Sequence, residues 1–151
     1  MVNIEIWASG GGTNADVIAS FFADHKSIRV RSIASNRKDA GVFKVAKKHN
    51  IRSYYWSKEQ WSPQEILKQL REREIDFVVL AGFLKLVPQE VVSAYENKMV
   101  NIHPSLLPKY GGKNYYGDNV HNSVLENKED YSGITIHVVN SEFDKGKILA
   151  Q

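Results

Sequence analysis

The stretch DFVVLAG, Asp76 to Gly82, constrains the fold more than any other, because it sets five consecutive apolar residues between a charge and a glycine. It is too short to span a bilayer, and it lacks the in-out alternation of a half-exposed strand. It therefore reads as a strand buried on both faces, as in a parallel sheet covered by helices on each side. Strand and helix patterns alternate around it. VNIEIWA (2–8) reads as a strand and breaks at SGGG. A helical pattern runs from Thr13 to about Asp24, with Val17, Ile18, Phe21 and Phe22 on one stripe. IRVRSIAS (28–35) and RSYYW (52–56) read as strands, with the short helix VFKVAKKHN (42–50) between them. SPQE (62–65) is a capping box: Ser62 caps, Pro63 takes the first helical position and Glu65 reaches back. Its helix is expected to reach about Glu74, with Ile66, Leu67 and Leu70 inward. PQEVVSAY (88–95) and DNVHNSVLENK (118–128) read as helices, KMVNI (98–102) and SGITIHVVN (132–140) as strands. The expectation is one α/β domain over 1–151 with three layers, a mostly parallel twisted sheet flanked by helices.

Composition narrows the class. There is no cysteine, which removes disulfides, thiolate chemistry and Cys-ligated zinc and fits a reducing cytoplasm. The N-terminus MVNIEIWASG has no basic region before a long apolar one, so no secretory signal is read there. No apolar run approaches the length of a membrane span. Twenty basic and 17 acidic residues leave a net charge of +3, too mild to imply nucleic acid. The expected partners are small-molecule substrates, with no nucleic acid and no membrane, in a cytoplasmic monomer or homodimer. Basic residues do crowd one stretch: Arg29, Arg31, Arg37, Lys38, Lys44, Lys47, Lys48 and Arg52, opposed only by Asp39. They form a solvated face or a field that draws in an anion; no RNA-binding signature accompanies them.

Ligands of open α/β sheets bind beyond the carboxyl ends of the strands. Three segments are expected there: SGGGTN after the first strand, NIHPS after the fifth and NSEFDKG after the sixth. Gly10 to Asn14, Asn101 to Ser105 and Asp144 are therefore expected to converge. The glycine run brings backbone close to a ligand, and the helix after it offers free N–H groups, which makes an anion cradle. It is not a Walker A loop, since no Gly-Lys-Ser/Thr follows. It contains G-x-G-x-x-A at Gly10, Gly12 and Ala15, but no acid lies between His25 and Lys38 for an NAD ribose. An NADP phosphate on Arg37 and Lys38, or a bare tight turn, stays open. Asn101 and His103 stand two apart in an extended segment, so both project to one face. An amide donor beside an imidazole suits carbonyl chemistry, the first holding a developing oxyanion and the second shuttling a proton. Asp144 alone is a turn residue before a glycine; beside a His it favours the charged imidazolium. His103, His121, His137 and Asp144 match no short metal-ligand motif, so no metal is expected.

At these residues the chain closely resembles a known family. NIHPSLLPKY (101–110), SGGGTN (9–14), VVLAGFLKLV (78–87) and GITIHVVNSEFDKG (133–146), in that order, are similar to the phosphoribosylglycinamide formyltransferases among the folate-dependent formyltransferases. NIHPSLLP alone is shared with related formyltransferases and a deformylase. The resemblance implies a Rossmann-like fold and formyl transfer from 10-formyltetrahydrofolate to the amine of glycinamide ribonucleotide in purine biosynthesis. It implies that Gly11, Gly12, Thr13 and Asn14 hold the phosphoribosyl phosphate. Leu84, Lys85, Leu86 and Val87 would line the folate site, with Lys58 standing in for the family's usual Arg. Asn101 would contact the formyl oxygen, His103 would act as general acid, and Asp144 would favour its protonated form.

Two departures accompany the resemblance. The loop GGKNYYGDNVH (111–121) is longer than in many members and resembles one bacterial branch. Members also continue beyond the position of Gln151 with a strand and at least one helix, so a catalytic domain truncated at its C-terminus is expected. A sugar-nucleotide N-formyltransferase, and an inactive folate- or nucleotide-binding fragment, are the alternative readings.

Overall fold

The computed structural model describes residues 1–142 and 144–151. Its strands are β1 Val2–Trp7, β2 Ile28–Ser35, β3 Arg52–Tyr55, β4 Phe77–Ala81, β5 Met99–His103, β6 Thr135–Val138 and β7 Ile148–Ala150. They form a single sheet in the order β3-β2-β1-β4-β5-β6-β7. Neighbours from β3 across to β5 pair in parallel. β6 lies antiparallel to β5, and β7 antiparallel to β6. The helices are α1 Thr13–Phe21, α2 Val42–Lys48, α3 Pro63–Glu72, α4 Gln89–Ala94 and α5 Asp118–Glu126. No helix among the described residues is long and apolar enough to cross a membrane.

The two-residue period of the strands sorts the core into two halves. On one face Trp7, Ala34, Val78 and Leu80 pack with Ile66 and Leu70 of α3 and Val91 of α4. On the other, Ile6, Ile33, Val79 and Val100 pack with Ala15 of α1 and Val42 and Ala46 of α2. The apolar run of β4 is buried on both faces because each face has its own pair of helices.

Two local features differ from the sequence expectation. α1 ends at Phe21, and its inward side is Ala15 and Ala19 flanked by the half-buried Ile18 and Phe22. Val17 and Phe21 are 65% and 73% exposed, so the contact face centres on the small residues rather than on the bulkiest ones. The capping box is half made. Ser62 Oγ accepts from the Glu65 N–H at 3.3 Å, but Glu65 Oε1 takes the Gln69 amide at 2.7 Å instead of reaching back. Within the basic stretch Arg31 pairs with Glu74, Arg37 with Asp39 and Lys48 with Asp16, and Arg29 bonds the Asn3 side chain.

One charge lies inside the core. Glu5, in the middle of β1, is fully buried and accepts from Arg73 at 2.9 and 3.2 Å, Ser32 Oγ at 2.5 Å and Trp7 Nε1 at 2.7 Å. The Arg73 guanidinium sits 3.5 Å from the centre of the Tyr54 ring, which shields it from water. Removing only one partner of such a pair strands a buried charge. Arg73→Met should therefore cost about 3–5 kcal/mol in urea unfolding, and Glu5→Gln combined with Arg73→Met should cost clearly less. Additive losses would show that the two residues are not coupled.

Candidate active site

The chain leaves β1 for α1 on one face of the sheet and leaves β4 for α4 on the other. β1 and β4 are neighbours, so the loops beyond their carboxyl ends diverge and leave a crevice. A cavity of about 660 Å³ opens there. Gly10 and Asn14, the segment Gly82 to Val87, Asn101 to Pro104, residues Gly112 to Gly117, His121, His137 and Asp144 all line it.

The glycine loop has two different jobs. Gly12 has φ +84°, and a Cβ there would lie 2.6 Å from Val42 Cγ2. A Cβ on Gly41 would lie 2.9 Å from Gly11 Cα. These glycines let the loop press against the start of α2, where the Val42 N–H donates to Gly10 O at 3.0 Å. Gly10 and Gly11 have open space where a Cβ would go, so packing makes no demand on them. No side chain caps α1, which leaves N–H groups of its first turn directed outward. Asp16 in that turn would repel an anion, but His49 and Lys48 engage its carboxylate and hold its pKa below the ordinary value. Of the predicted phosphate residues, Asn14 lines the cavity, while Gly11 and Gly12 lie in the loop before α1 and Thr13 is its first residue.

Across the crevice Gly82 adopts φ +73° and turns the chain out of β4. Ser9 secures the turn: its N–H donates to Gly82 O at 3.0 Å, and its Oγ accepts from the Leu84 N–H at 2.8 Å. The next residues form an apolar shelf in which Leu84 and Leu86 are held 54% and 64% exposed and Val87 is buried. Lys85 lies over the Trp61 ring at 4.6 Å. Lys58, expected at the same site, does not line the cavity; it lies between β3 and α3.

Asn101 and His103 end β5 and both line the cavity. The sixth strand corrects the expectation behind Asp144. β6 is antiparallel, so its carboxyl end lies beside Val100, away from the crevice. Asp144 reaches the site because the chain doubles back after β6. Gly146 permits that return: any Cβ there would run into the Val138 carbonyl oxygen. Asp144 itself has φ +55°. Its Oδ1 lies 3.5 Å from His103 Nδ1 and 3.4 Å from His137 Nε2, and its Oδ2 accepts from the Gly112 N–H at 2.9 Å. Burial pushes the Asp144 carboxyl up, but the His137 and Gly112 hydrogen bonds and the two imidazoles more than offset it, leaving its pKa below the ordinary value.

His137 enters the site as a neighbour that the motif reading left aside. It faces Asn101 across the β5–β6 ladder, with Nε2 3.1 Å from Asn101 Nδ2 and Nδ1 3.0 Å from Val138 O. A proton on Nδ1 satisfies that carbonyl. Nε2 then accepts from Asn101 when bare, and donates to Asp144 when protonated. The signal for it in the sequence is a His at an inward position of TIHV, pairing with Asn101 once the register is known. Among the described residues no group of three His, Asp or Glu has metal-holding geometry; His121 lines the cavity without joining the other two His.

The formyl transferase family model matches residues 2–151. The chain belongs to the formyl transferase family. The chain is 42% identical over 155 residues to the chloroplastic phosphoribosylglycinamide formyltransferase of Arabidopsis thaliana, an alignment covering 98% of the chain and 53% of the plant protein. It thus spans about half the length of that relative. It is 32% identical to the phosphoribosylglycinamide formyltransferase of Escherichia coli, covering 99% of the chain and 71% of the relative. The crystal structure of glycinamide ribonucleotide transformylase 1 from Symbiobacterium toebii superposes with a TM-score of 0.89 at 28% identity, over 100% of the chain and 72% of that one.

Asp144 gives a pH test of this site. With its folded pKa below the unfolded one, its contribution is complete above about pH 4 and is lost as the pH falls through the folded value. Asp144→Asn should be less stable than the parent at pH 7, and the difference should close in acid. A gap that persists unchanged to pH 2 would contradict this ionisation.

Proposed function

We propose that this chain transfers a formyl group from 10-formyltetrahydrofolate to the amine of 5-phosphoribosylglycinamide, a step of de novo purine biosynthesis, and that residues 1–151 act as one catalytic domain. One observation carries the reading. An amide and an imidazole backed by a carboxylate face a cavity bounded by an uncapped, glycine-rich helix start at one end and an apolar shelf at the other. The first end suits a phosphate and the second a flat, largely apolar ring system. The plant and bacterial relatives bear the name of this activity, which supports the choice of substrates. The cytoplasm is the proposed compartment, in keeping with the cysteine-free sequence.

The residues divide the chemistry as follows. Gly11, Gly12, Thr13 and Asn14 offer N–H groups to the phosphate. Leu84, Lys85, Leu86 and Val87 bind the folate. Asn101 Nδ2 donates to the formyl oxygen as charge develops on it. The substrate amine forms a bond to the formyl carbon, the bond from that carbon to the donor nitrogen breaks, and His103 relays the proton that the amine loses to the departing nitrogen. Asp144, ionised at neutral pH, stabilises the imidazolium. No metal takes part.

The deciding measurement is formyl transfer to glycinamide ribonucleotide, followed by release of the deformylated folate. Asn101→Ala should cut kcat by roughly 10²–10³ while the dissociation constant for folate stays within a few fold. A defect confined to binding would remove its oxyanion role. Treatment with EDTA should leave turnover unchanged, and a loss reversed by added divalent metal would contradict the metal-free scheme. Folate binding without transfer to this acceptor would overturn the proposed reaction.

A further inference from the structure

The two acid-base residues are held by one short backbone segment. His103 Nε2 lies 2.7 Å from Tyr110 O, so this nitrogen carries a proton and donates it to that carbonyl. Two residues on, the Gly112 N–H donates to Asp144 Oδ2 at 2.9 Å. Residues 110–112 therefore set both the tautomer of His103 and the place of its carboxylate. The segment is not held by regular structure. Tyr110 sits at φ +55°, a region that a residue with a Cβ occupies only when its surroundings hold it there. Ser105 Oγ supports it from below, donating to Lys109 O at 2.7 Å.

The outer support comes from a residue outside the cavity. Glu129, in the connection between α5 and β6, accepts from the Tyr110 hydroxyl at 2.8 Å and from Lys109 Nζ at 3.0 Å. Its carboxyl is held below its ordinary pKa by Lys109 and then by Tyr110, so it is charged at neutral pH. Burial, and then the bond to Glu129, raise the Tyr110 hydroxyl, which stays a donor. Tyr110 also packs edge-on against Tyr115 of the cavity wall, 5.9 Å between ring centres.

We propose that Glu129 is a positioning residue for the His103–Asp144 pair, acting through the side chains of Lys109 and Tyr110 on the 110–112 backbone. This deepens the formyl-transfer reading and rests on it for the role of His103. Freed of Glu129, Tyr110 loses its outer anchor and its carbonyl leaves the Nε2–H. The imidazole can then also carry its proton on Nδ1, towards the Asp144 carboxylate, and the two tautomers exchange.

The test is ¹⁵N NMR of the His103 ring in the full chain, without substrate, beside steady-state kinetics. In the parent protein the neutral ring should show a protonated Nε2 and a bare Nδ1. Glu129→Ala should give the averaged shifts of mixed tautomers and lower kcat about tenfold or more, with KM for both substrates within about twofold. Glu129→Gln keeps an acceptor for Tyr110 and should restore most of the parent ring signal. Tyr110→Phe removes one hydroxyl, and serves if Glu129→Ala does not fold; it should mix the tautomers likewise. Parent-like ring shifts in every folded variant would overturn the proposal, even if kcat fell. Because the ring signal needs no substrate, a parent protein inactive in formyl transfer would count against the proposed reaction and leave this inference to be decided by NMR.

Discussion

The rest of the structure depends on the reversal of strand order at β1. The chain builds outward from β1 through β2 to β3, then returns to lay β4 on the other side. The helices follow that turn, α1 and α2 covering one face and α3 and α4 the opposite one. Adjacent strands whose loops depart to opposite faces cannot close over one another, so a crevice is a consequence of the topology. Asn14, the segment Gly82 to Val87, Asn101 and His103 all line the cavity that opens there. The Ser9 hydroxyl and amide tie the β1 exit to the β4 exit and keep the crevice to a defined width.

Polar groups at the end of a buried sheet need partners, and here the partners are one another. Asn101 pairs with His137 across the ladder, His137 and His103 share Asp144 Oδ1, and Asp144 Oδ2 takes a backbone N–H. His103 and His137 are 3% and 2% exposed. Side chains so enclosed are fixed in orientation, and a fixed donor set costs little further ordering when charge develops beside it. The same enclosure makes the loop 105–112 a structural part of the site, because its carbonyl and amide complete the hydrogen bonds of the two ionisable groups.

Much of this was legible beforehand. The apolar run of β4 announced a two-sided sheet, and the two-residue spacing of Asn101 and His103 announced a shared face, since both are local properties of an extended chain. The readings that missed turned on distance. On α1 the bulky Val17 and Phe21 marked the wrong stripe, because the inward face is chosen by how closely a helix can approach the sheet, and Ala15 and Ala19 allow the closer approach. The Glu65 carboxylate accepts from Gln69 instead of from the amide it was expected to reach.

The amino-acid sequence determined the order of the elements, the two buried faces of the central strands, the glycines at the β1 exit and the Asn-x-His pair, because each follows from side-chain chemistry within a few residues. Only the tertiary structure decided that β6 is antiparallel, that the chain doubles back past Gly146 to deliver Asp144, that His137 joins the site, and that a carbonyl at 110 orients the imidazole at 103. Those are relations between segments far apart in the chain, or between a side chain and a backbone group, and no residue type signals a backbone carbonyl. The strand pairing and the close approach of the return loop create them, and they exist only once the sheet has formed.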